Sequence, residues 1–272
     1  MRKERGDFLN NRKYRILDVI NQRGYARFAD LCTEFDVSAA TMRRDLVSLD
    51  QEGLIHRVHG GAKSIHSPAE QPNVLSTHER SILAPQEKVQ IAQCAFQMLH
   101  NGDSIILDDS TTCLELAKII ASSKLTLNII TNSFDIALLL QEHLMIELFF
   151  IGGIVHKTTA ATYGSIAEQI ARSLNCNILF AGADAVHPEK GFLNNRLNII
   201  PLKQAMIGAS SQTIVLADHT KFNRSAMMQI APFDAIDYVI TDDQLTDDVY
   251  NAFGKYKSQI IRAEIDDLPS DE

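Results

Sequence analysis

Two groups of residues in this 272-residue chain have types and spacings that can do chemistry. The first lies in Val37–Ala62, VSAATMRRDLVSLDQEGLIHRVHGGA. Helical spacing puts Met42, Leu46 and Leu49 on one side of this stretch, with Arg44 directly opposite and Arg43 to the flank. Guanidinium groups pair with guanine edges or phosphates, and a small polar first turn around Ser38 and Thr41 lets a helix enter a major groove. Arg57 and His59, downstream, fit contacts to backbone or minor groove. The second group is Asp108 with Ser110, Thr111 and Thr112, repeated one unit later as Thr131-Asn132-Ser133. Hydroxyls and free amides at the start of a helix suit a phosphate, because unpaired N–H groups and the helix dipole both favour an anion. Lys203 and Lys221 offer counter-charge, and Asp184 or Asp218 can hold sugar hydroxyls.

The elements that must position these groups are legible in outline. Ser38 is a good N-cap and Gly53 a good helix stop. Asn11–Gln22 and Arg27–Phe35 have helical apolar spacing, the latter with Phe28, Leu31 and Phe35 as its inner face. Leu54 onward, ending at Gly60-Gly61, predicts a hairpin. Two helices, a tight turn, a third helix and a hairpin make a winged helix-turn-helix. A helix is expected over Gln86–Leu99. Short apolar strands follow at Ser104–Leu107, Leu127–Ile130, Ile146–Ile151, Asn177–Phe180, Thr213–Ala217 and Tyr238–Ile240, most of them leading into helices. That alternation predicts a mostly parallel, Rossmann-like sheet covered on both faces. The polar clusters fall after the strands, where ligands sit in such sheets. The fold class is therefore α/β, a winged helix-turn-helix over residues 1–65 and a Rossmann-like, mostly parallel-sheet domain over 86–272. Residues 66–85, rich in Ser, Pro and Asn, read as a linker.

Composition narrows the partners. The net charge of -8 disfavours nucleic acid for the chain as a whole. Residues 1–65, however, hold 12 Lys and Arg against 9 Asp and Glu, leaving a net of -11 for the remainder. A basic head on an acidic body suits a DNA reader joined to a sensor. Four scattered cysteines without a CxxC pair indicate neither a disulfide framework nor a metal site, and no cofactor is expected. No signal peptide or membrane span is read, so the expected location is cytoplasmic.

The run VSAATMRRDLVSLDQEGLIHRVHGGA resembles the signature of DeoR-family bacterial transcriptional repressors. The runs ILDDSTT, IITNS, FIGG, YGSIAE, FAGAD and LADHTKF are similar to that family's effector domain, itself like phosphosugar isomerases. The resemblance implies a repressor of a carbohydrate-utilisation operon, bound to double-stranded operator DNA as a dimer or tetramer and released by a phosphorylated sugar. It implies effector contacts at Asp108, Ser110, Thr111, Thr112, Thr131, Asn132, Gly152, Asp184, Lys203 and Lys221, and DNA contacts at Ser38, Thr41, Arg43, Arg44, Arg57 and His59. Asp45 is expected to be an ion-pair or structural residue, since phosphate would repel it. Two positions depart from the family pattern: Ser110 stands where a glycine is common, and no carboxylate precedes Lys203. The rival reading is a sugar-phosphate isomerase with an accessory DNA-binding head, using Asp108, Asp184 or Asp218 as base.

Overall fold

The computed structural model describes residues 12–21, 25–58, 60–64 and 75–263. The chain divides into two compact units, Met1–Leu75 and Ser76–Glu272.

In the first unit, helix α1 (residues 12–21) is followed by strand β1 (Tyr25–Arg27), α2 (Phe28–Glu34), α3 (Ala39–Gln51), β2 (Ile55–Val58) and β3 (Gly61–Ser64). Ile16, Leu17 and Ile20 of α1 close on Leu31 of α2 and on Met42, Leu46 and Leu49 of α3, all essentially solvent-free. The expected inner face of α2 is only partly realised. Phe28 and Phe35 are half-buried, each covered by a guanidinium, Arg43 over Phe28 at 5.8 Å and Arg15 over Phe35 at 5.5 Å. Helix α2 also starts one residue later than its spacing suggested, because Tyr25–Arg27 pairs antiparallel with β3 and the wing has three strands in the order β1-β3-β2. The turn needs glycine at both positions, for different reasons. Gly60 has φ +85°, a conformation that excludes most side chains, and a Cβ on Gly61 would lie 2.2 Å from the Ala26 carbonyl oxygen.

The second unit begins with α4 (Thr77–Ser81) and α5 (Pro85–Phe96). Then come β4 (Ser104–Leu107), α6 (Thr111–Ala121), β5 (Leu127–Thr131), α7 (Phe134–Leu140) and β6 (Ile146–Phe150). A hairpin of β7 (Ile154–His156) and β8 (Ala161–Tyr163) precedes α8 (Ser165–Arg172) and β9 (Cys176–Gly182). The chain continues through β10 (Ala185–His187), β11 (Gly191–Asn194), α9 (Ile200–Gly208), β12 (Ser210–Leu216) and β13 (Met228–Ala231). It ends in β14 (Tyr238–Thr241), α10 (Asp247–Asn251) and β15 (Ile260–Arg262).

Seven strands form one sheet in the order β15-β14-β12-β9-β4-β5-β6, every pairing parallel. Successive side chains point to opposite faces, so Ile105 and Leu107 pack with Ile91, Leu116, Ile120 and Ile136 of α5, α6 and α7. Ile106 and Leu179 pack with Ala167, Ala171, Leu202 and Met206 of α8 and α9. Both faces are covered, as the near-continuous apolar strands require. An aromatic cluster of Phe192, Phe222, Phe233 and Phe253 seats the antiparallel β10-β11-β13 sheet beside β12 and β14.

Candidate functional site

On α3, the Ser38 hydroxyl accepts from the Thr41 amide at 3.2 Å and lies 2.9 Å from the Thr41 hydroxyl. The cap is thus built from both small residues proposed to face DNA. Ser38, Ala39, Ala40, Arg43 and Arg44 are exposed. Arg43 is held beside α2 by its stacking on Phe28, whereas Arg44 projects from the face opposite the core. Asp45 is buried, and Arg12 of α1 donates to it from Nε at 2.7 Å and Nη2 at 3.3 Å, so it is structural. In the wing, the Arg57 backbone N–H is fixed by Asp50 Oδ1 at 3.1 Å while its side chain is exposed with Lys63 and Arg27. His59 lies outside the described residues.

In the second unit, the strand order runs outward from β4 through β5 to β6 on one side, and from β9 through β12 to β14 and β15 on the other. The chain leaves β4 towards α6 on one face and, after β9, reaches α9 on the opposite face, so a crevice opens between the two strand ends. Asp108 stands in it. Its Oδ2 accepts from the Gly182 amide at 2.8 Å and from Lys203 Nζ, and its Oδ1 accepts from the Ser110 amide at 2.9 Å. Lys203 also donates to the Gly182 carbonyl at 2.7 Å. Asp108, Ser110 and Lys203 are therefore brought together around Gly182.

The first departure noted in the sequence finds an explanation here. Ser110 is extended, φ -77° and ψ 148°, and caps α6 by accepting from the Cys113 amide at 3.2 Å, so the position needs no glycine. The glycine is required across the crevice instead, since a Cβ on Gly182 would sit 2.5 Å from the Ser110 Cβ. Lys203 finds its carboxylate partner in Asp108 at the end of β4, 95 positions away. Lys203 is consequently neutralised within the fold and is not a free counter-charge. Lys221 likewise has the Asp218 carboxylate 4.0 Å away.

Beside this group lies a second one that the sequence reading did not assemble. Arg196 grips Asp109 with Nη1–Oδ2 at 2.5 Å and Nη2–Oδ1 at 3.1 Å, and also reaches the Thr159 hydroxyl at 3.3 Å. Arg80 of α4 donates to the Asp109 carbonyl at 3.3 Å and lies 3.9 Å from its carboxylate, while its Nε is buried without a hydrogen-bond partner. Burial pushes the Asp109 carboxyl up, but Arg196 and Arg80 outweigh it and hold the group well below the usual carboxylate range. Lys88 of α5 is buried and donates to the carbonyls of Arg80 and Leu83, the latter at 2.6 Å. Burial, opposed by Asp218, pulls its ammonium down to about 7. The adjacent Asp108-Asp109 pair was the one sequence signal for this cluster; nothing marked Arg196, 87 positions away.

The remaining expected residues occupy neighbouring strand ends. Thr131 Oγ1 accepts from the Ser133 amide at 3.1 Å. Asn132 donates to the Thr162 carbonyl at 2.9 Å, and its Oδ1 is buried without a hydrogen-bond partner. Thr111 and Thr112 are buried in the first turn of α6. Gly152 follows β6, and Asp184 accepts from the Asn195 amide at 2.8 Å, shaping the loop that carries Arg196. Beyond β12, Asp242 receives the His219 amide at 2.7 Å and lies 2.8 Å from its Nδ1, an arrangement that raises the imidazole pKa. Among the described residues, no cluster of His, Cys, Asp or Glu could hold a metal, and no helix is long and apolar enough to cross a membrane.

A family model described as "DeoR-like helix-turn-helix domain" matches residues 12–68, and one described as "DeoR C terminal sensor domain" matches residues 83–243. The chain is 29% identical to the putative aga operon transcriptional repressor of Escherichia coli O157:H7, over 93% of each chain. It is 30% identical to the lactose phosphotransferase system repressor of Lactococcus lactis subsp. lactis, over 92% of this chain and 97% of that protein. With the HTH-type transcriptional repressor GlcR of Bacillus subtilis the identity is 33%, over 84% of this chain and 86% of that protein. A solved D-ribose-5-phosphate isomerase in complex with phospho-erythronic acid is 17% identical, covering 51% of this chain and 54% of that one with a TM-score of 0.39.

Proposed function

The chain belongs to the DeoR family of transcriptional regulators, and on that premise we propose a repressor of a sugar operon that a phosphorylated sugar releases from DNA. Residues 1–65 are the reading head, and the sensor and assembly domain starts at Ser76, ten residues before the expected 86, because α4 packs into that unit and its Arg80 reaches Asp109, which shortens the joining segment expected over 66–85. Arg44 reads a base edge, Arg43 and Arg57 engage phosphate, and Ser38 and Thr41 line the point of closest approach. The head reads one half-site, so the working species is a homo-oligomer on a repeated or palindromic operator.

The observation that carries the sensor assignment is the polar crevice at the strand-order reversal, floored by Asp108 and Lys203 and bordered by the first turn of α6. In this reading Thr111, Thr112 and Ser110 border the phosphate, and Thr131, Asn132, Gly152, Asp184 and Lys221 shape the surroundings. An isomerase is disfavoured: the family and its relatives are regulators, and the lone pairs of Asp108 are already engaged by Lys203 and two amides. Release requires that the sugar bind the non-operator arrangement more tightly than the operator-bound one.

The test is a thermal-shift panel of pentose and hexose phosphates on the purified chain, followed by operator band shifts with whichever compound stabilises it. One phosphosugar should raise the melting temperature and weaken operator binding. A panel with no stabilising member, or catalytic turnover of any member, overturns the reading.

A further inference from the structure

The sensor sheet ends in two different ways. At one edge β15 is short and begins with a buried residue, whereas at the other β6 is five residues long and none of them is buried. Of the fourteen large apolar side chains that are exposed among the described residues, eight fall between positions 138 and 166, around β6. Leu144 is 99% exposed, Met145 and Phe149 are about half exposed, and Leu138, Ile154 and Ile166 surround them on α7, β7 and α8. An exposed apolar edge strand presents unpaired N–H and C=O groups, and proteins that leave one unguarded by lysine, proline or a bulge use it for pairing.

We propose that β6 is the self-association edge of the sensor unit, pairing antiparallel with β6 of a second copy about a two-fold axis at Leu148. The inference rests on the reading of the protein as an oligomeric regulator and says where the copies meet. In this register Leu148 faces its own counterpart, Ile146 faces Phe150, and Glu147 faces Phe149. Directly opposed residues share a face, so Ile146, Leu148 and Phe150 of both copies form one apolar ladder on the α7 side. Ile146 and Leu148 already pack against the core on that side, so pairing extends the core across the axis. Glu147 meets an aromatic ring and not a second carboxylate, so this register sets no like charges directly opposite one another.

The charge pattern selects this occupant. No lysine or arginine occurs from position 125 to 156, which leaves nothing to attract nucleic acid or an acidic bilayer. A two-fold dimer also supplies the second reading head that a two-part operator needs.

Light scattering of the full chain after size exclusion tests the proposal. The wild type should run at a multiple of 30.3 kDa. Phe149→Glu places a carboxylate opposite Glu147 of the second copy and should halve the apparent mass. Adding Glu147→Lys to that variant restores opposite charges across the pair and should restore the mass, which a misfolded chain would not do. Val89→Glu, at an exposed site on α5, should leave the mass unchanged. A monomeric wild type overturns both the oligomer reading and this surface, and leaves the edge to another protein. An oligomeric wild type whose mass is indifferent to Phe149→Glu overturns the surface alone. Loss of mass without rescue by Glu147→Lys overturns the two-fold register.

Discussion

Asp108 and Lys203 are both removed from water, and among the described residues each is the other's only opposite charge at contact distance. Removing one member of such a pair strands a buried charge and typically costs about 3–5 kcal/mol. Asp108→Asn should therefore lower the denaturation free energy of the sensor unit by roughly that amount, and a loss below about 1 kcal/mol would mean that water reaches the pair. Lys88 gives a pH signature of its own. Its ammonium titrates near 7 when buried and near 10.5 when free, so between those values the unfolded chain binds more protons than the folded one. Stability should then rise with pH across that window by up to about 1.4 kcal/mol per unit. Denaturation midpoints of Lys88→Met compared with wild type from pH 7 to 9.5 should show that rise in the wild type only; parallel curves would refute it.

At the level of elements, α3 carries predictions of two sizes. Ser38→Ala removes a cap bond and should cost about 1 kcal/mol of head stability. Arg44→Ala should weaken operator binding by about 1–3 kcal/mol, and mainly at one base position, if its guanidinium reads a base edge. Arg43→Ala should weaken binding evenly across sequences, because Phe28 holds that guanidinium to the flank of the helix. Equal, sequence-independent losses for both variants would move readout elsewhere. The helix itself was legible because everything that defines it is local: a serine cap, apolar residues at helical spacing and a glycine stop at φ +71°. Six strands of the main sheet were legible for the same reason. The third wing strand was not, because Tyr25–Arg27 is a strand only through its pairing with β3, far along the chain. The crevice was half legible. Its hydroxyls and amides follow strands in sequence, but the partners that fix it, Arg80 and Arg196 on Asp109 and Lys203 on Asp108, depend on which strands become neighbours.

For the molecule as a whole, the two units divide a basic head from an acidic body. Operator affinity should fall steeply with salt as phosphate contacts release counterions, with the slope reporting their number. A flat salt dependence would contradict phosphate engagement by Arg43 and Arg57. The same architecture also sets a timetable. The head closes on itself within its first 75 residues, whereas the crevice needs Asp108 and Gly182, 74 positions apart, before its floor exists. At ribosomal speeds of about 5–20 residues per second, that gap alone is about 4–15 seconds. Each newly made chain therefore passes through an interval in which its helix-turn-helix unit is complete and the floor of its crevice is not.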